Sequence, residues 1–164
     1  MADRAGFTDY VEEHSDRLLR TAYLLTRDWA RAEDLLQTAL AKAWVAWGRI
    51  QDDPGPYVYR ILTNTHASWW RLRRRNEVPT AHLPEVPCAD LAQVVDDREV
   101  MWDALGRLSP RQRATVVLHY FEELPVEHVA MVLGCSGSTV KTQLRRALVR
   151  LRVDPSLHIL KETR

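Results

Sequence analysis

Residues 138–152, STVKTQLRRALVRLR, carry five basic side chains and no acidic one, in a chain whose formal net charge is only +1. A second stretch repeats the imbalance: from Arg60 to Arg75 there are five arginines (60, 71, 73, 74 and 75) and no acid. The chemistry open to such clusters is recognition of a polyanion, because guanidinium groups direct several N–H donors at phosphate oxygens. A cationic helix can equally be a solvated face, so charge alone leaves both readings open. Placement separates them. Residues 77–103 hold Glu77, Glu85, Asp90, Asp96, Asp97, Glu99 and Asp103 against Arg98 alone. Near-neutrality thus conceals two basic patches around an acidic middle, the distribution of a protein with two separate polyanion contacts.

Other chemistry is poorly represented. There is no Ser/His/Asp arrangement at motif spacing and no glycine-rich phosphate loop, and the six histidines are scattered. His119 and His128 read as surface or packing residues. Cys88 and Cys135 have no second Cys or His at ligand spacing, which argues against a zinc site or a disulfide scaffold. We therefore expect neither an enzyme nor a bound metal or cofactor. The N-terminus carries Asp3, Arg4 and Asp9 where a signal peptide would be basic and then apolar, and no apolar run reaches the roughly 18 residues of a membrane span. A cytoplasmic protein without membrane insertion is expected.

The elements that must position the basic patches are helical. Phe7, Tyr10, Val11, Leu18, Ala22 and Leu25, then Ala32, Leu35, Leu36, Ala39, Leu40, Ala43, Trp44 and Trp47, follow helical spacing. Pro54, Gly55 and Pro56 break the chain before a third helix over about 57–75. The segment 78–97 has three prolines, Pro79, Pro84 and Pro87, and no sustained apolar period, and reads as a linker. Beyond it, Met101, Ala104, Leu105 and Leu108 mark a helix. Ser109-Pro110-Arg111-Gln112 has the form of a capping box opening another, with Ala114, Val117, Leu118 and Phe121 inward. A short helix follows Pro125, with Val126, Val129, Ala130 and Leu133 inward, and stops at Gly134. Ser138 then reads as the N-cap of the basic stretch, whose apolar stripe is Val140, Leu144, Leu148 and Leu151.

A short helix, a tight turn containing glycine and a second helix are the order of a helix-turn-helix, whose second helix enters the major groove N-terminal end first. Lys141, Thr142, Gln143, Arg145 and Arg146 would then face base edges and flanking phosphates. The fold expected is all-α: two small helical domains joined by a flexible linker, the C-terminal one a helix-turn-helix.

The stretch LPVEHVAMVLGCSGSTVKTQLRRALVRLR resembles region 4.2 of bacterial sigma factors of the sigma-70 family, and ALGRLSPRQRATVVLHYFEEL resembles region 4.1. Upstream, AEDLLQTALAKAWVAW is similar to region 2.2 and PYVYRILTNTHASWWRLRRR to regions 2.3 and 2.4. With nothing similar to regions 1.1 or 3, the match is to the extracytoplasmic-function (ECF) group. The resemblance implies a region 2 domain over 1–77, the linker at 78–97, a region 4 domain over 98–153 and a tail at 154–164. It implies binding to core RNA polymerase and to promoter DNA, with an anti-sigma factor as a further partner.

Site residues carried over by the resemblance fall in three groups. For the −10 element they are Tyr57, Arg60, Asn64, Trp69, Trp70, Arg71, Arg73 and Arg74, with Asn64 at a flipped base and Tyr57 at the duplex edge. Aromatic rings beside cations suit stacked bases and a strand's phosphates, and an amide pairs with a base edge as donor and acceptor. For the −35 element they are Ser138, Thr139, Lys141, Thr142, Gln143, Arg145 and Arg146. For core polymerase they are Asp34, Leu35, Gln37, Leu40, Lys42 and Trp44. The rival function is a stand-alone dimeric helix-turn-helix regulator, which has no use for the aromatic and arginine-rich segment 57–75.

Overall fold

A computed structural model of the chain describes residues 6–50, 53–76 and 97–152, and the described residues fold into α-helices without a strand. The helices are α1 (Phe7–Thr26), α2 (Trp29–Ala46), α3 (Pro54–Asn76), α4 (Asp97–Gly106), α5 (Pro110–Val116), α6 (Val126–Leu133) and α7 (Gly137–Arg152). A 3₁₀ turn, Trp47–Arg49, follows α2, and a π-helical turn, Val117–Phe121, follows α5. The expected linker lies outside the described residues up to position 96, and Asp97 already belongs to α4. The expected tail at 154–164 lies outside them too.

Helices α1, α2 and α3 form the N-terminal domain. Tyr10, Leu18, Ala22 and Leu25 of α1 are buried as their spacing requires, together with Leu24. The helix stops where Arg27 takes a left-handed conformation, φ 62°. Asp28 then caps α2, accepting from the Arg31 amide at 2.9 Å. From α2 come Ala32, Leu35, Leu36, Ala39 and Ala43, and from α3 Val58, Tyr59 and Leu62. Helix α3 begins earlier than the Pro-Gly-Pro break suggests. Its prolines occupy the first turn, where a missing N–H costs nothing, and the Asp53 carboxylate accepts from the Gly55 amide at 2.9 Å.

In the C-terminal domain the capping box at Ser109 forms as expected: its hydroxyl accepts from the Gln112 amide at 3.3 Å, and the Gln112 side chain accepts from the Ser109 amide at 3.4 Å. Beyond α5 the expected inner face fails at one position. Ala114, Val117 and Leu118 are buried, but Phe121 is turned outward at 37 % exposure. The cause is the π turn, in which the Glu122 amide bonds the Val117 carbonyl five residues back at 3.0 Å. One extra residue in the turn rotates Phe121 to the surface and Glu122 inward. Gly134, at φ 64°, ends α6 as expected. The cap of α7 is Ser136 rather than Ser138: its hydroxyl accepts from the Thr139 amide at 3.2 Å, and Ser138 already lies inside the helix.

The two domains dock. Helix α6 lies against α3, the π turn against α1, and the buried apolar side chains of both domains form one continuous cluster. Glu122, with its side chain 5 % exposed, enters the N-terminal domain and accepts from Arg17 Nε at 2.6 Å, from the Tyr59 hydroxyl at 2.5 Å and from the Thr21 hydroxyl. Arg17 also reaches the Glu122 carbonyl at 3.2 Å. Burial, reinforced by the bond to Glu122, pushes the Tyr59 phenol well above its ordinary range. Buried Arg113 donates to the carbonyls of Leu105, Gly106 and Leu108 in its own domain and to that of Leu25 across the seam. Arg27 bonds Asp103 at 2.6 Å, and the Tyr23 ring meets Trp102 edge-on at 5.1 Å.

His66 sits beneath this seam at 9 % exposure. Burial, with the positive fields of Arg113 and Arg31, lowers its pKa from 6.5 to about 4. Its folded pKa lies below its unfolded one, so between these values the unfolded chain binds a proton that the folded chain refuses. Stability must therefore fall as pH drops from 7 toward 4, by about 2–3 kcal/mol from this residue at pH 4.5. Urea denaturation at pH 7 and pH 4.5 checks this: the wild type should lose more stability than His66→Gln, and parallel losses would remove His66 as the cause.

Candidate nucleic-acid and polymerase interfaces

Helix α7 divides cleanly along its length. Val140, Leu144 and Ala147 are buried against the other helices of its domain, while Leu148 and Leu151 are only half-buried. The inward edge thus passes through Ala147 where the spacing suggested Leu148. Ser138, Lys141, Arg145 and Arg146 are exposed, and Thr139, Thr142 and Gln143 flank them half-buried. Ser138, Lys141, Thr142 and Arg145 recur at i, i+3, i+4 and i+7, so they share the projecting N-terminal face. No acidic side chain lies on this helix. Farther along, Lys141, Leu144, Arg145, Leu148, Val149 and Arg152 line an open groove of about 290 Å³.

Helix α3 is equally two-sided. Val58, Tyr59, Leu62, Thr65 and His66 face inward, and on the other side Tyr57, Arg60, Asn64, Arg71 and Arg74 are exposed on a single stripe, at intervals of three, four, seven and three. An aromatic ring, an amide and three guanidiniums share that stripe. Two expected −10 residues are not on it. Trp69 is turned toward the core and, with Trp70, Thr26, Arg31, His66 and Arg113, lines a small cavity of about 40 Å³ at the seam. Arg73 is exposed on another side of the helix, and Trp70 sits at the stripe's margin, 39 % exposed. Arg71 donates to the Ser68 hydroxyl at 3.3 Å, which steadies it on the helix surface.

On α2, Asp34, Gln37 and Trp44 are exposed on one face, with half-buried Leu40 beside it. Leu35 departs from the expectation of a partner contact: it is 0 % exposed and belongs to the domain core. Lys42 is exposed but points to another side, where it donates to the buried Thr65 hydroxyl at 3.0 Å and ties α2 to α3. Trp47 is the half-buried one of the two tryptophans, packed at 4.9 Å from Phe7 and 5.3 Å from Tyr10. The sequence reading missed Val45, 70 % exposed beside Trp44, and Ala41, which extend the face of Asp34 and Gln37. Ala41 lies seven residues from Asp34 and four from Gln37, and Val45 eleven and eight, helical spacings that were the available signal.

Among the described residues no group of His, Cys, Asp and Glu could hold a metal ion, and no helix is long and apolar enough to cross a membrane. Cys135 is half-buried with a free thiol, and Cys88 lies outside the described residues. The His119 ring bonds the Leu124 carbonyl at 2.9 Å, a packing role.

Residues 10–76 match the family model for sigma-70 region 2, and residues 98–151 match that for sigma-70 region 4. Over 156 residues the chain is 44 % identical to the RNA polymerase sigma-E factor of Streptomyces coelicolor, covering 94 % of this chain and 88 % of that one. It is 35 % identical over 152 residues to the ECF RNA polymerase sigma factor SigM of Mycobacterium tuberculosis, covering 91 % and 76 %. Among solved structures, the sigma factor RpoE of Bartonella quintana, in complex with the anti-sigma factor NepR, superposes with a TM-score of 0.71 at 25 % identity, covering 90 % of this chain and 98 % of that one. With a region 2 domain carrying the α2 and α3 faces and a region 4 domain carrying α7, the chain belongs to the sigma-70 family of RNA polymerase sigma factors, in the extracytoplasmic-function group.

Proposed function

We propose that this ECF sigma factor binds core RNA polymerase through the exposed face of α2, reads the −35 duplex with the N-terminal half of α7, and holds the melted −10 strand along the α3 stripe. The observation that carries the reading is that stripe: Tyr57, Arg60, Asn64, Arg71 and Arg74 are exposed together on one side of a helix whose other side is core. A ring to stack on a base, an amide to pair with one and cations for the intervening phosphates are the groups a single strand needs. A dimeric operator-binding regulator would leave this surface without a task. The protein is then a regulatory subunit without catalysis of its own, acting in the cytoplasm where polymerase and promoter meet.

Neither DNA contact need be tight. Once polymerase holds both domains, engagement of one element raises the effective concentration of the other, so two modest contacts yield a specific complex. A near-neutral free protein gains little from non-specific phosphate attraction, which leaves it available to polymerase. An anti-sigma factor, the partner held by the solved relative, is the matching regulator.

Initiation by purified core polymerase on a randomised promoter library, with and without this protein, tests the proposal. Productive templates should be enriched in paired −35 and −10 sequences only when the protein is present; palindromic duplex binding without core-dependent initiation would favour the dimeric regulator instead. On the promoter so defined, Arg145→Ala should lower −35-dependent initiation about tenfold or more and relax preference at one −35 position, whereas Arg146→Ala, at a phosphate, should weaken all sequences alike and reduce the salt slope by about one. Asn64→Ala should slow strand opening about tenfold while leaving −35 duplex affinity unchanged. Permanganate footprinting of the −10 region reads the strand opening, and binding titrations on −35 duplexes at several salt concentrations read the preference, affinity and salt slope. Asp34→Arg should weaken core binding in a fluorescence titration and leave the free protein's melting temperature in place.

A further inference from the structure

We propose that the cavity between Arg31, His66 and Arg113 is a binding site for a tetrahedral oxyanion, either free phosphate or the phosphate group of a small monoester. Neither the α3 stripe nor the projecting face of α7 includes any of these three residues. The cavity is lined by Thr26, Arg31, His66, Trp69, Trp70 and Arg113, with no carboxylate among them. Its volume of about 40 Å³ is room for about three water molecules, or for one five-atom oxyanion.

The cations around the cavity have no counter-charge from the protein. Arg113 is 8 % exposed, yet it bonds only the carbonyls of Leu25, Leu105, Gly106 and Leu108. Those four bonds leave one of its five N–H donors unspent. A guanidinium withdrawn from water is ordinarily paired with a carboxylate. Here burial, with the field of Arg27, instead lowers the Arg113 pKa from 12.5 to about 10. Arg31, half-buried on α2, adds a second guanidinium, and among the described residues neither it nor Arg113 has a carboxylate within ion-pair distance. Arg27 differs, because Asp103 at 2.6 Å already answers its charge. His66 supplies the third donor. It is 9 % exposed and lines the cavity, and among the described residues its ring makes no hydrogen bond, although buried polar groups ordinarily find partners. A neutral imidazole still carries one N–H, so it can serve an anion without first taking up a proton. The Thr26 hydroxyl is engaged with the Ala22 and Asp28 carbonyls and contributes wall, not a donor. Trp69 closes the inner side, and Trp70, 39 % exposed, offers a ring at the mouth for a planar group joined to the phosphate.

Calorimetric titration of the full chain with inorganic phosphate, at an ionic strength held constant with sodium chloride, tests the site. One equivalent should bind saturably, and Arg31→Ala and His66→Leu should each weaken it about tenfold. His66→Gln, whose amide keeps an N–H, should retain more affinity than His66→Leu. Arg74→Ala and Arg145→Ala, on the exposed basic faces of α3 and α7, should leave phosphate affinity unchanged. Circular dichroism melts report whether each variant is folded, and Arg31→Ala, which alters only a half-buried side chain, decides the matter should His66→Leu fail to fold. Adenosine monophosphate binding about tenfold more tightly than phosphate, with the gain lost in Trp70→Ala, identifies a nucleotide-like monoester as the ligand. Equal affinities identify the free ion. Absence of saturable binding, or binding weakened by Arg74→Ala or Arg145→Ala but not by Arg31→Ala, puts any bound phosphate on the outer basic faces and overturns the proposal.

Discussion

A carboxylate withdrawn from water must find its donors inside the protein, and Glu122 finds them in the other domain. Much of the arrangement depends on meeting that demand. The chain after α5 takes up an extra residue in a π turn, which sends Glu122 inward and releases Phe121 to solvent. Helix α1 presents Arg17 and Thr21 one turn apart, and α3 brings the Tyr59 hydroxyl from the third side. Burial also lifts the Tyr10 phenol to about 12, with the Asp53 and Glu122 carboxylates reinforcing it and Arg17 opposing, so negative charge at this end of the seam is confined to the carboxylates.

Helix α3 carries the heaviest combination of duties. Val58 and Leu62 belong to the core, Tyr59 and His66 to the seam, and Tyr57, Arg60 and Asn64 to the exposed stripe. An α-helix can serve all three because residues 100° apart in rotation address different neighbours while sharing one rigid axis. A shift of the helix that improved the seam would therefore move the stripe as well. The same economy operates in α7, where Val140, Leu144 and Ala147 hold the helix so that Lys141 and Arg145 project. In both, Tyr57, Arg60, Asn64, Lys141 and Arg145 each stand next to a buried residue of the same helix.

What could be read without coordinates was local. Helical periods, the capping box at Ser109, the glycine stop at Gly134 and the projecting cations of α7 each follow from side chains within a few residues of one another, where propensity and hydrogen-bond geometry decide the outcome. The errors arose where two local solutions compete. Ser136 and Ser138 are both able caps, and the turn geometry after Gly134 selects the first. Pro54 and Pro56 read as a break, yet an Asp53 cap converts them into a first turn. Leu35 and Trp69 are placed by their family resemblance at partner surfaces, whereas in the folded chain one is core and the other faces the seam. Spacing shows that a residue is on a face, but the neighbours that cover the face come from elsewhere in the chain.

The sequence by itself determined the all-α class, the two-domain order, the helix-turn-helix and the family, because each is written in short-range pattern or in motifs taken in order. Only the tertiary structure decided that the domains dock, that Phe121 and Glu122 exchange places, and that α3 divides into core, seam and stripe. Glu122 is the clearest instance. Its donors lie 63 to 105 residues away along the chain, and no pattern local to an acidic residue after an apolar helix indicates whether it will meet water or an arginine.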